Sequence, residues 1–277
     1  MTGRLPDAIV VGAPKTGTTT LCAALARVDG IWMYPRKETH FFNDHYARRG
    51  IDWYRDLFRD APEDALVMEG TPDYAMAPGI DETFARMARH VPRARLVYML
   101  REPVARVESH LVQMMANHRR AMPLAEALAR WPEVVDTSDY PAVLAAIHRH
   151  YPAGQVHVLT LEDYRADPRA CHARVLRFLG RTGDLSPALD AMEGQAVLHT
   201  RAGQGIDRPL LAWLRRLPNY DRLNALMPGP VIRLGKRALR RPLRVEGSLP
   251  DAARARLDAR LRPGWERLCE TARVGAV

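Results

Sequence analysis

The chain alternates short apolar runs with longer stretches in which apolar positions recur every three or four residues. The runs at 8–12, 65–69, 95–100 and 155–160 are β-branched or aliphatic enough to predict strands buried between two helical layers. Stretches at 18–28, 80–90, 103–118, 139–151 and 168–180 read as helices. Pro103 suits a first helical turn, and Gly180 suits a C-terminal cap. Residues 119–138 read as a short helical excursion and 183–250 as irregular cover rich in Gly, Pro and Arg. A last amphipathic helix is predicted over 249–270, with Leu257, Leu261 and Leu268 on its apolar side. Such alternation predicts an α/β fold, a three-layer sandwich with a central parallel sheet flanked by helices. One domain is expected over 1–277, with its core in 8–180 and a basic segment and helix in 183–277.

Composition narrows this picture. With 47% apolar and 26% charged residues among 277, the chain is globular rather than disordered or collagen-like. No apolar run approaches the ~20 residues of a membrane-spanning helix. The N-terminus places a strand-length run before a lysine, unlike a secretory signal, so a cytoplasmic location is expected. Cys22, Cys171 and Cys269 lie far apart, with no CxxC or Cys/His cluster, so neither a disulfide framework nor a metal site is expected. The net charge is +9, yet residues 201–277 hold 17 Lys and Arg against 7 Asp and Glu, so the first 200 residues are close to neutral. A general polyanion-binding surface is therefore not expected there, nor nucleic acid as the partner. Of the 41 basic residues only Lys15, Lys37 and Lys236 are lysines.

Two segments carry chemistry. In the first, the strand Ala8–Gly12 runs through Ala13, Pro14, Lys15, Thr16 and Gly17 into a helix opening with Thr18 and Thr19. A helix start offers unpaired N–H donors and positive dipole to an anion. Gly17 permits close backbone approach, the threonines supply hydroxyls, and Lys15 supplies charge, so this reads as a phosphate cradle. It differs from the nucleoside-triphosphatase loop GxxxxGK[ST], in which the lysine follows the second glycine. In the second segment Arg101 ends the strand 95–100, where open α/β sheets bind ligands. Arg106, Ser109, His110 and Gln113 follow on one predicted polar helix face, and an arginine fork near a serine makes a second oxyanion site.

Together these segments resemble the sulfotransferases that use 3′-phosphoadenosine 5′-phosphosulfate (PAPS). Lys15, Thr16, Gly17, Thr18 and Thr19 match that family's PKTGTT-type loop for the 5′-phosphosulfate, and Pro14 belongs to the same motif. Arg101 and Ser109 match its RxPxxRxxS segment for the 3′-phosphate. Lys37–Phe42 (KETHFF) is similar to the KExHFF motif of the heparan sulfate-type and related bacterial branch, and Glu69–Tyr74 (EGTPDY) to its EKTPxY motif. Gly70 stands where that motif has lysine, which puts a heparan-like acceptor in doubt but not sulfuryl transfer.

The resemblance implies in-line transfer from PAPS to a hydroxyl, less readily an amine, of a glycan or small-molecule acceptor, releasing adenosine 3′,5′-bisphosphate (PAP) without a metal. It gives Lys15 the leaving oxygen and Glu38 the role of base, with His40 and His110 as alternatives. Glu38 is expected to pair poorly with Lys37, because strand neighbours point to opposite faces. Lys37, Thr71, Asp73, Tyr74 and His110 are expected at the acceptor, whereas Phe41 and Phe42 are expected in the core or the pocket wall. The basic run Arg233, Lys236, Arg237, Arg240, Arg241 and Arg244 is a solvated face, a closing segment over the 3′-phosphate, or an attractor for an anionic acceptor. Two other readings stay open: a nucleotide kinase or NTPase using residues 12–20, and a nucleic-acid-binding protein using the basic C-terminus.

Overall fold

The computed structural model describes residues 3–193, 205–207, 240–242 and 248–274, with side chains left undescribed in 205–207, 240–242 and 271–274. The predicted apolar runs become strands β1 (Ala8–Gly12), β3 (Leu66–Glu69), β4 (Arg95–Leu100) and β5 (Val156–Thr160), and β2 (Ile31–Met33) joins them. They form a parallel five-stranded sheet in the order β2-β3-β1-β4-β5. Register is fixed by pairs such as Ile9 with Leu96, Ile9 with Glu69, and Tyr98 with Val158.

Period-two alternation sends Ile9, Val11, Leu96 and Tyr98 into one fully buried core layer, and Ala8, Val10, Val97 and Met99 into the other. The first layer packs Phe84, Met87, Tyr140, Ile147 and Trp265, and the second packs Leu21, Leu25, Cys171 and Leu176. These side chains come from α1 (Thr18–Leu25), α3 (Ile80–His90), α7 (Tyr140–His148), α9 (Pro168–Phe178) and the terminal helix Asp251–Val274. Helices therefore cover both faces, as the sequence predicts. Phe41 and Phe42 are buried in the first layer.

The intervening helices are α2 (Ile51–Asp56), α4 (Pro103–Asn117), α5 (Leu124–Arg130), α6 (Glu133–Asp136), α8 (Leu161–Ala166) and α10 (Ser186–Met192). The sequence pattern misses β2, which has three residues and only one of them buried, and it misses the short helices α2, α8 and α10. The chain divides into two compact units, one comprising 1–107, 132–198 and 251–277, the other 108–131 and 199–250. The second unit contains α5, the antiparallel pair Gly205–Asp207 and Arg240–Pro242, and a stack of His118 on Trp131 at 5.2 Å. Apart from the backbone of Arg240 and Arg241, the basic run at 233–244 lies outside the described residues.

One consequence of topology places the site. The chain leaves β1 toward β2 on one side and leaves β4 toward β5 on the other, so the carboxyl ends of adjacent β1 and β4 flank a switch point. Ligands of open α/β sheets bind at such a crevice. Both chemistry-bearing segments begin there.

Candidate active site

Beyond β1 the chain turns tightly. Ala13 N–H donates to Met99 O at 2.7 Å, tying the loop to β4, and Thr16 Oγ1 donates back to Ala13 O at 2.7 Å. Lys15 takes φ 74° and Gly17 takes φ 94°. The left-handed conformation is free for glycine but strained for lysine, and such strain concentrates where function holds it in place. A side chain at Gly17 would also press within 2.9 Å of Leu161. Thr16 and Thr18 are buried and Lys15 is half-buried at the start of α1.

Two arginines brace this loop. Arg101 donates through Nη1 to Lys15 O at 3.2 Å, and its own backbone is held by Tyr140, whose hydroxyl donates to Arg101 O at 2.7 Å. Arg106 is fully buried, donating through Nε to Pro14 O at 3.2 Å and through Nη1 to Val134 O and Ser138 Oγ at 2.9 and 2.8 Å. The expected polar face of α4 is thus corrected: Arg106 is a buried prop of the phosphate loop, and Glu108, Ser109 and His110 are buried as well. Ser109 and His110 belong to the second unit. Glu102 turns to cap α4, accepting from Val104 N–H and Ala105 N–H. Burial, and then the charges of Arg101 and Arg106, draw the Lys15 ammonium down to about 8. Converging cations that depress one another make a site selective for anions.

The second cluster follows β2. Lys37 at φ 66° and His40 at φ 49° are again left-handed non-glycine residues. This turn overturns the expectation that Lys37 and Glu38 face apart: β2 ends at Met33, and Lys37 Nζ meets Glu38 Oε1 at 2.7 Å. The other carboxylate oxygen, Oε2, lies 3.3 Å from His40 Nε2. Burial pushes the Glu38 carboxyl up, but the hydrogen bond from His40 and the charge and hydrogen bond of Lys37 outweigh it and hold it down at about 2. The Glu38 hydrogen bond raises His40, against burial, with Asp73, Glu38 and Asp44 adding to the rise. That favours an imidazolium gripping Glu38 over the alternative of His40 as a base.

Behind this loop sits Glu69, fully buried, a residue whose role the sequence did not reveal. Its carboxylate accepts from Tyr54 OH at 2.7 Å, Tyr74 OH at 2.9 Å, Thr39 Oγ1 at 3.0 Å and Thr71 Oγ1 at 2.6 Å. Thr71 Oγ1 in turn accepts from Thr39 N–H at 3.0 Å. Burial raises the Glu69 carboxyl, and the four hydroxyls oppose that rise. Thr71 and Tyr74, expected at the acceptor, are fully buried and spend their hydroxyls on Glu69, so they shape the site from behind. Asp73, between them in sequence, is only half-buried, with Oδ2 3.7 Å from His40 Nδ1.

Gly70 packs the second cluster against α1. Its N–H donates to Lys37 O at 2.9 Å, and a Cβ there would lie 2.6 Å from Cys22 Sγ and 3.6 Å from Lys37 Cγ. The space a side chain would take is filled by the thiol and the lysine stem. Gly70→Ala is expected to cost about 1–3 kcal/mol by overpacking, and a thermal-melt double-mutant cycle with Cys22→Ala should show the two losses combining to less than their sum. Additive losses would mean that the thiol is not the obstacle.

A sulfotransferase domain model matches residues 5–195. The chain belongs to the sulfotransferase family. It is 32% identical over 188 residues to heparan sulfate glucosamine 3-O-sulfotransferase 3A1 of Mus musculus, an alignment covering 64% of this chain and 46% of that protein. It is 27% identical over 206 residues to the bifunctional heparan sulfate N-deacetylase/N-sulfotransferase 2 of Homo sapiens, covering 65% and 22%. The chain thus spans less than half the length of these curated relatives. A solved sulfotransferase from Alicyclobacillus acidocaldarius is similar with TM-score 0.58 at 25% identity, covering 67% of this chain and 88% of that one. The sulfotransferase domain of the curacin biosynthetic pathway, at TM-score 0.50 and 16% identity over 71% of this chain and 81% of its own, shares the fold. The sulfotransferase α/β fold is therefore this chain's fold, and sulfuryl transfer is the chemistry of its family.

Proposed function

We propose that this sulfotransferase moves the sulfuryl group of PAPS to a hydroxyl, less readily an amine, of a carbohydrate or natural-product acceptor. The observation that carries the reading is a strained loop after β1, its Lys15 braced by Arg101 and Arg106, together with a separate carboxylate after β2, Glu38, held ionised by His40 and Lys37. The first set suits an anionic donor; the second suits a proton-bearing acceptor. When bound, PAPS supplies the sulfur that the acceptor oxygen attacks in line, with PAP as leaving group.

The chain's own groups do the rest. Lys15, with the N–H groups of residues 16–19, holds the phosphosulfate end and neutralises charge on the departing oxygen. Arg101 takes the 3′-phosphate, as the resemblance implies. Glu38 receives the hydroxyl proton while Lys37 and His40 keep the carboxylate aimed. The heparan sulfate sulfotransferases among the relatives favour a saccharide acceptor, and the buried thiols of Cys22 and Cys171, which form no disulfide, suit a reducing, cytoplasmic setting.

Calorimetry with PAP and with ATP tests the donor assignment without an acceptor. PAP should bind and ATP should bind far more weakly. Because Lys15 sits at about 8 when no anion is bound, and an anion favours its charged form, PAP binding should take up a proton near that pH. Affinity should be full below about 8 and fall by up to roughly tenfold per unit above it. Tight ATP binding with no response to PAP would sink the reading in favour of a kinase or NTPase.

A further inference from the structure

Resting on that reading, we propose that Asp73 is a positioning residue for the transfer: through His40 it fixes Glu38 toward the acceptor. The imidazole of His40 bridges two carboxylates, its Nε2 3.3 Å from Glu38 Oε2 and its Nδ1 3.7 Å from Asp73 Oδ2. A third carboxylate, Asp44 Oδ2, stands 3.8 Å from the same Nδ1, and Lys37 acts on the far side of Glu38. These are the charged groups that the surrounding elements bring to the ring.

The tautomers decide what this arrangement does. A neutral ring protonated at Nε2 would turn the Nδ1 lone pair toward Asp73 and Asp44, and one protonated at Nδ1 would turn the Nε2 lone pair toward Glu38. Either neutral form sets a lone pair against a carboxylate. The imidazolium alone donates in both directions, and the rise of His40 agrees with this. Nδ1 is buried and lies beyond hydrogen-bond length from both aspartates. A movement of under about 1 Å by either would complete a linear Asp–His–Glu chain.

Asp73 is better placed than Asp44 to do so. It lies on the short 3-10 turn Pro72–Ala75, between Pro72 and Tyr74, both buried, with Tyr74 anchored on Glu69. The Asp73 side chain is 37% exposed, whereas that of Asp44 is 60% exposed and solvated on the turn after His40. A carboxylate on a rigid support loses less in being aimed than a mobile one. The left-handed backbone of His40 itself, φ 49°, also sets the ring between the two loops rather than along its own.

The test combines imidazole NMR of the full chain with steady-state kinetics on Asp73→Asn, Asp44→Asn and Asp73→Glu. The His40 titration midpoint, assigned with His40→Gln, should fall in Asp73→Asn by at least about half a pH unit more than in Asp44→Asn. PAP affinity should stay within about twofold and kcat should drop by roughly 10- to 100-fold, the cost of a misaimed group. The alkaline loss of kcat should move to lower pH with the His40 midpoint, and Asp73→Glu should restore part of both. An unmoved His40 midpoint in Asp73→Asn, or a larger shift in Asp44→Asn, would overturn the proposal. The titration stands on its own if PAPS proves not to be the donor, so that failure would remain distinct.

Discussion

Lys15→Ala is expected to abolish measurable PAP binding at micromolar concentrations and to lower kcat by at least about 10²- to 10³-fold, the range for removing one preorganised group that stabilises developing negative charge. Three observations make this a large effect on binding and turnover together. The ammonium sits in a left-handed turn between the end of β1 and α1, it is half-buried, and burial, followed by the charges of Arg101 and Arg106, brings it down to about 8. A charge in that position is held there against its own preference, and an anion repays both the desolvation and the crowding. Lys15→Arg should fail to restore the binding, because a guanidinium fork is larger than a compact ammonium and does not fit the same turn. Calorimetry with PAP, beside a melt to confirm folding, checks both variants. Retention of wild-type affinity in Lys15→Ala would remove the lysine from the site, as would be expected if the binding surface were the basic C-terminal run instead.

Glu38→Gln should divide binding from chemistry. PAP affinity is expected to stay close to wild type, while kcat falls by about 10²- to 10⁴-fold, the usual contribution of a positioned proton acceptor. The amide cannot take a proton and gives up both charge-assisted contacts, with Lys37 Nζ and His40 Nε2. The sign with pH also follows. A carboxyl lowered to about 2 is ionised throughout the working range, so Glu38 itself should cause no acid-side loss of kcat above about pH 4. Mass-detected sulfate transfer from PAPS, over an acceptor panel and a pH series, measures all of this. Full activity in Glu38→Gln would mean that another group, or solvent, accepts the proton.

Much of the fold was legible because its signals are local. The runs at 8–12, 65–69, 95–100 and 155–160 became β1, β3, β4 and β5 within a residue at either end, since a strand buried on both faces writes itself as an unbroken apolar run. The long helices also fell where apolar spacing put them, with ends shifted by a few residues. Strand β2 did not show, because a run of three residues, two of them half-buried, is too short to stand out. Helix α10 lay inside a stretch that its Gly, Pro and Arg content disguised as irregular.

The site was legible by a different route. Lys15, Gly17 and Arg101 could be singled out because phosphate-loop and strand-end chemistry needs particular residue types at short, fixed spacing, whereas Glu38 came from the resemblance of its motif to the family's. What those residues touch was not legible. The pairing of Lys37 with Glu38 depends on a left-handed lysine, a conformation that no side-chain pattern announces. The burial of Arg106 depends on acceptors at Pro14, Val134 and Ser138, far from it along the chain. Thr71 and Tyr74 looked like pocket residues until Glu69 was seen to collect their hydroxyls.

The division has one physical cause. Periodicity and motif spacing are properties of neighbours in the chain, so the sequence by itself determined the layered α/β architecture and the strand-to-helix loop that carries Lys15. Hydrogen bonds and charge coupling between residues 28 to 92 positions apart depend on which strand ends the sheet brings side by side. Only the tertiary structure, through the order β2-β3-β1-β4-β5, could therefore decide that Arg106 supports the loop, that Cys22 fills the space beside Gly70, and that Asp73 faces His40.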